Sequence, residues 1–562
     1  MFPLGSMVWV MVLCWVPLAV SEKGQANTRP FVTTKYGQLL GKSVDVKDTD
    51  RKVHVFTGVP FAKPPIGPLR FAKPQPPEPW SCVREATEFP PMCLQDSEGM
   101  KQLIKIFNVE FTLPSMSEDC LYLNVYTPAD RKKNSKLPVM VFIHGGGLVM
   151  GLASMVDGSA LSAYENVIVV NIQYRLGILG FFSSGDTEVR GNFGFLDQVA
   201  ALRWVQENIK DFGGDPQSVT IFGESAGGVS VSLQILSPLS KGLFHKAIAQ
   251  SGVALLPGLM ISETKEVLLI RDLVANISGC NVPDLVDCLK QKSEDDIVAF
   301  SEAMKFGVLP GCVDGEFLPK PAEEILAGKE SNNVPFMIGV NNHEFGWILP
   351  MASNISGLKE GIEKKEIEST MRAFPLLHTV SNIIPLIIEE YFGDTNDPKE
   401  IRNRFLELNG DIIFVIPALR TAQYHRDSRL PVYFYEFQHR PSMFHDSKPD
   451  FVKADHGDEL FFVFGGPFLS AGVIFQSAGT EEEKVLSKRI MRYWANFART
   501  GDPNGPGLSD WPKYEEDEDY LEINLNQKPS HKLKEGRLKF WTITVPEKIT
   551  KMMDEKKDHT EL

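Results

Sequence analysis

Gly223-Glu224-Ser225-Ala226-Gly227 follows directly on Val219-Thr220-Ile221-Phe222 and runs into Gly228-Val229-Ser230-Val231. The four apolar or β-branched residues read as the end of a buried strand, and the residues from Gly227 onward as the start of a helix. A Gly-x-Ser-x-Gly set between a strand and a helix is a nucleophile elbow, a turn so sharp that the serine is strained and its hydroxyl stands clear of both elements. Glycines two before and two after Ser225 remove Cβ atoms that would collide across the turn. The competing reading is a glycine-rich turn that happens to hold a serine. The flanking strand and helix favour the elbow.

The chain has 562 residues, of which 43% are hydrophobic. That is enough to bury a large core. No Pro/Ser/Gly linker, low-complexity tract or internal repeat divides it, so one large domain with insertions is expected over residues 22–558. A formal charge of −14 argues against nucleic acid as a partner. Met7 to Val20 is uncharged and apolar but short for a membrane span, and Ala19-Val20-Ser21 offers a small-x-small cleavage site. Residues 1–21 therefore read as a signal peptide, although Met1 to Ser6 carries no Lys or Arg. No other segment is apolar enough to cross a bilayer. His559-Thr560-Glu561-Leu562 resembles the tetrapeptides by which a retention receptor returns soluble proteins to the endoplasmic reticulum, so residence in its lumen is expected.

Apart from Cys14 in the leader, the cysteines are Cys82, Cys93, Cys120, Cys280, Cys288 and Cys312. Their number suits an oxidising compartment, and spacing makes Cys280 with Cys288 and Cys93 with Cys120 candidate loops. No Cys-x-x-Cys or His-x-x-x-His array occurs, so zinc is not expected, and no metal or cofactor is assigned to the site. Asn276-Ile277-Ser278 and Asn354-Ile355-Ser356 are acceptor sequons for N-glycans.

An activated serine needs a base, a group that orients the base, and donors for the developing oxyanion. Val139 to Ile143 reads as a buried strand and runs into His144-Gly145-Gly146-Gly147, whose N–H groups are sterically open. A glycine loop after an early strand is where α/β-hydrolases build the oxyanion hole, together with the N–H after the nucleophile, here Ala226. A flexible glycine turn is the bland alternative. In this fold the triad runs serine, acid, histidine along the chain. His343, His378, His425, His439, His445, His456, His531 and His559 all lie downstream. His456, in the polar loop Ala454 to Glu459, is favoured over its rivals His439 and His445. For the acid, Glu344 follows a strand-like run ending at Val340 and is one candidate among many carboxylates.

With these residues in view the chain resembles the type-B carboxylesterases and cholinesterases, from about Pro30 to about Lys548. Phe212 to Gly227 fits the family's serine signature, and Glu118 to Pro128 fits its second signature. Asn171 to Gly177, Gly191 to Gly194, Leu196 to Gln198 and Pro335 to Trp347 are further matching blocks. Similarity is strongest to the second class of mammalian microsomal carboxylesterases, through Gly252 to Gly258, Tyr433 to His439, Lys453 to Leu460 and the His-Thr-Glu-Leu tail.

The resemblance implies an α/β-hydrolase fold, a large, mostly parallel central sheet flanked by helices, with long helical insertions. It implies Ser225, Glu344 and His456 as the catalytic residues and Gly146, Gly147 and Ala226 as the oxyanion donors. It further implies disulfides Cys93–Cys120 and Cys280–Cys288, and structural ion pairs Arg70–Glu118 and Arg175–Asp197. Cys82 and Cys312 match no family pair and are expected to be free. The Cys93–Cys120 span lacks the tryptophan with which cholinesterases bind a quaternary amine, and Lys101 and Lys105 add positive charge there. Leu148, after the glycines, is expected to border the site. So are the insertions between Gly258 and Val334 and between Trp347 and Val432.

The implied activity is hydrolysis of carboxylic esters, and more slowly amides, through an acyl-enzyme. Small-molecule esters with a small acyl and a bulky alcohol group, xenobiotic esters and acylglycerols are the implied substrates. A dedicated neutral-lipid hydrolase and an inactive adhesion protein on the same fold are the rival readings.

Overall fold

A computed structural model describes residues 29–560 except 108–110, 133, 305–306, 308, 354, 374–382 and 471–473. The expected signal peptide, Asn354, His378 and the last two residues of the retention-like tail lie outside the described residues.

The organising element is an eleven-stranded sheet. In chain order its strands are β1 (Lys42–Asp45), β2 (Lys52–Pro60), β3 (Tyr122–Pro128), β4 (Leu137–Ile143), β5 (Ile168–Ile172) and β6 (Gly214–Glu224). They continue with β7 (Lys246–Gln250), β8 (Phe336–Asn341), β9 (Val432–Phe437), β10 (Asp519–Ile523) and β11 (Lys528–His531). Spatially they run β11-β10-β9-β8-β7-β6-β4-β5-β3-β2-β1. From β10 to β5 every pairing is parallel, while β11 at one edge and β3, β2 and β1 at the other pair antiparallel.

A parallel block needs helical crossovers, which cover both of its faces, so its strands are near-continuous apolar runs. The two-residue period still sorts their side chains. Val139, Val141, Ile143, Ile221 and Ile338 enter one core, with Val229 and Leu233 of the helix Ala226–Leu236. Met140, Phe142, Phe222, Met337 and Tyr433 enter a second, with Ile490 and Trp494 of the helix Glu481–Thr500. A third core, built from Phe345, Trp347, Ile387 and Phe405, belongs to the helical insertion after β8.

Parallel strands all end at the same edge of the sheet, so the loops after β4, β6, β7, β8 and β9 gather in one place. Two disulfides, Cys93–Cys120 and Cys280–Cys288, close loops outside the sheet. Cys312 is free and buried. Cys82 departs from expectation: it is not free but disulfide-bonded.

Arg70 and Glu118 form a buried bidentate pair, and Arg70 also donates to the carbonyls of Leu289 (2.9 Å) and Lys292 (2.6 Å), tying the first disulfide loop to the chain just after the second. Arg175 donates to Asp197 through Nε and a terminal nitrogen at 2.8 Å each and through its backbone N–H at 3.0 Å. Both side chains are buried. Removing one partner strands the other charge in the core. Asp197→Ala is therefore expected to cost about 3–5 kcal/mol, read as a lowered Tm in thermal unfolding.

Candidate active site

Ser225 sits between β6 and the helix that begins at Ala226, with φ 58° and ψ −126°. A non-glycine residue with positive φ is strained and persists only where its surroundings enforce it. The crowding is visible at the two glycines. A Cβ on Gly227 would stand 2.0 Å from the Ile143 carbonyl oxygen, and one on Gly223 would stand 2.6 Å from that same oxygen and from the Gly227 backbone. The N–H of Ser225 is held by the carbonyl of Gln250, the last residue of β7 (2.9 Å).

The glycine loop leaves β4 as His144 to Gly147. Gly146 (φ 100°) and Gly147 (φ 62°) both adopt conformations open to glycine. Among the described residues no acceptor is bonded to the N–H groups of Gly146, Gly147 or Ala226. The loop is braced from two sides. The Tyr174 hydroxyl donates to the His144 carbonyl (2.8 Å), and the two rings stack at 4.4 Å. Burial depresses His144 to about 4, so this imidazole is neutral and structural. From the disulfide loop, Gln95 donates to the carbonyls of Cys93 (2.9 Å) and Gly151 (3.0 Å) and accepts the Gly151 N–H (2.9 Å).

Glu344 and His456 meet from the loops after β8 and β9. His456 Nδ1 donates to Glu344 Oε2 at 2.7 Å. The other carboxylate oxygen accepts from Ser251 Oγ (2.7 Å) and the Asn341 N–H (2.6 Å). The Phe414 ring lies 4.5 Å from the imidazole. It projects from a π-helical turn, Asp411–Val415, of the kind often found at functional sites.

His456 Nε2 lies 3.1 Å from Glu224 Oε1, the residue before Ser225. Sequence reasoning passed over Glu224, although it stands inside the pentapeptide that located the serine. Burial works against the charged form of His456, but Glu224, the hydrogen bond to Glu344 and the more distant Glu459 outweigh it and raise the imidazole to about 9. Burial in turn pushes Glu224 up to about 8, against the pull of His456. Burial thus opposes charge on Glu224, while the carboxylates around His456 favour its protonated form.

Ser225, His456, Glu224 and Gly145 to Gly147 line one cavity of about 310 Å³. Its remaining walls are apolar. Met100 and Leu103 come from the disulfide loop, Val149 and Met150 from beyond the glycines, and Ile348 and Leu349 from the insertion after Trp347. Leu148 does not border it; with φ 64° it turns into the core, and Val149 takes the expected place. No described residue of the Gly258-to-Val334 insertion lines it. Lys101 and Lys105 are exposed and face away. His439 is engaged by Glu483 (3.0 Å), and His445 is exposed beside Asp446. Neither rival reaches the cavity. Asn276 is exposed on the helix Thr264–Ser278.

The model of the carboxylesterase family matches residues 28–541. Rat pyrethroid hydrolase Ces2e is 52% identical, covering 100% of this chain and 97% of its own length. Human cocaine esterase is 50% identical over 97% of each chain. Mouse acylcarnitine hydrolase is 50% identical over 98% of this chain and 97% of its own.

A histidine acting as a general base must be neutral, so with His456 in that role activity falls below its pKa. Removing the foremost group that raises that pKa moves the loss to lower pH. Glu224→Gln is expected to shift the acid limb of the kcat/KM profile downward by about one to two pH units, measured on a chromogenic ester across pH 5–10.

Proposed function

Because the chain belongs to the carboxylesterase family and is a carboxylic-ester hydrolase, we propose that it works as a serine esterase through an acyl-enzyme, with Ser225, Glu344 and His456 as its triad. The observation that carries this reading is the single cavity lined by a strained serine, an imidazole paired with a carboxylate and the open glycine loop, with the Ala226 N–H next to the serine.

In this mechanism Ser225 Oγ attacks the ester carbonyl while its proton passes to His456 Nε2. Glu344 keeps the Nδ1–H tautomer and compensates the imidazolium. The N–H groups of Gly146, Gly147 and Ala226 receive the tetrahedral oxyanion, each worth about 3 kcal/mol of barrier. His456 then protonates the leaving alcohol. Water, deprotonated by the same imidazole, releases the acid.

For substrate, the walls of Met100, Leu103 and Met150 suit a bulky apolar group, and methionine side chains adapt to varied shapes. The relatives' names, a pyrethroid hydrolase, a cocaine esterase and an acylcarnitine hydrolase, support tolerance of dissimilar esters. We assign a small acyl and a bulky alcohol group, with xenobiotic esters and acylglycerols as the classes served. A dedicated acylglycerol hydrolase is the second reading, favoured by the same apolar lining. Residence in the lumen of the endoplasmic reticulum is supported by the leader-like and retention-like segments and by the disulfides, which need an oxidising compartment.

Wild-type protein is expected to be labelled by a fluorophosphonate and Ser225→Ala to be neither labelled nor active; persistent labelling would refute the nucleophile. A short-acyl aryl ester is expected to turn over faster than a monoacylglycerol at equal concentration. The reverse order would favour the lipid hydrolase.

A further inference from the structure

Lys448, Asp455 and Asp458 form a cluster of three charged side chains with no exposed surface, and none of them lines the cavity. The Lys448 ammonium lies 2.6 Å from Asp458 Oδ1 and 3.1 Å from Asp455 Oδ2, and 3.9 Å from the centre of the Phe444 ring. Burying three charges is costly, and a hydrophobic replacement is often as stable. The cluster therefore calls for a reason other than stability.

Its connections supply one. Asp455 directly precedes His456. Its carboxylate accepts the N–H groups of Trp347 (3.1 Å) and Ile348 (3.0 Å), just beyond Glu344. Its carbonyl accepts from Asn341 Nδ2 (2.7 Å), and its backbone forms a bridge with His343. Asp458, two residues after His456, accepts the Asp455 N–H at 2.8 Å. Asp455 thus grips the loop that carries the acid, Asp458 folds the loop that carries the base, and Lys448 spans the two carboxylates. The lysine is itself held in place. The Arg440 guanidinium donates to the carbonyls of Lys448 (2.7 Å), Pro449 (2.9 Å) and Val452 (3.0 Å), and Arg402 stacks 3.6 Å over Phe451.

We propose that Lys448 is a positioning residue for ester hydrolysis: its bridge between Asp455 and Asp458 fixes the register of His456 against Glu344. The proposal rests on the triad assigned above, which the Ser225→Ala labelling tests separately. Lys448 touches neither substrate nor reacting atoms. A displacement of about 1 Å between base and nucleophile is enough to cost up to about 100-fold in rate.

The rival explanation is charge balance alone, and two variants separate them. Lys448→Met combined with Asp458→Asn keeps the net charge of the cluster, and the amide oxygen introduced by the second substitution can still accept the Asp455 N–H, but the cationic bridge is gone. K448R keeps a bridging cation. The double variant is expected to recover a Tm within a few degrees of wild type, with kcat at least about tenfold lower, KM within about twofold and fluorophosphonate labelling slowed in parallel. K448R is expected to retain kcat within about threefold. Recovery of wild-type kcat by the double variant, or equal kcat in the two variants, overturns the proposal. So does failure of both to fold, which would make the cluster a stability element.

Discussion

The 2.7 Å hydrogen bond from His456 to Glu344 joins residues 112 positions apart, and the architecture around it serves to make that contact reproducible. Strands β8 and β9 lie side by side in register from Phe336 opposite Val432 to Asn341 opposite Phe437. Their following loops therefore leave the sheet at the same level. Glu344 arrives at once, within one turn of the strand end. His456 arrives only after a long excursion, and an unbraced excursion of that length would leave the imidazole free to wander. Arg440, knotted into the carbonyls of its own loop, and the Asp455 carboxylate, fastened to the N–H groups after Glu344, remove that freedom.

Buried carboxylates crowd this imidazole, and their hydrogen-bond donors distinguish them. Glu344 receives Ser251 and the Asn341 N–H in addition to His456. Glu459 receives Gln250 and Asn341 Nδ2. Glu224 Oε1 has only the His456 imidazole beside it among the described residues, at 3.1 Å. Burial raises Glu224 above the usual carboxylate range. The two glutamates that flank His456 thus differ in what surrounds them.

Much of this site could be read before any coordinates. The elbow was legible because sterics at Gly223 and Gly227 admit no other residue, and the oxyanion loop because a glycine triplet after an apolar strand has few other uses. Fold and family were legible from long matching blocks. Glu344 and His456 were weak from pattern alone and became firm choices only through resemblance, since a hydrogen bond across 112 residues leaves no local trace. Glu224 went unread although it was quoted: nothing in a pentapeptide reveals that its second side chain turns toward a distant histidine. Leu148 was misplaced because its positive φ, a backbone property, turns its side chain into the core. Lys448 and Asp458 carry no motif, and only their complete burial marks them as a pair.

Gln95 has a consequence that reaches past local bracing. The loop closed by Cys93 and Cys120 lends Met100 and Leu103 to the wall of the cavity, and through Gln95 it also grips Gly151 at the far end of the glycine loop. The shape of the cavity and the setting of the N–H groups beside Ser225 are thereby mechanically coupled. Remodelling this segment disturbs both, so they cannot be tuned as independent traits.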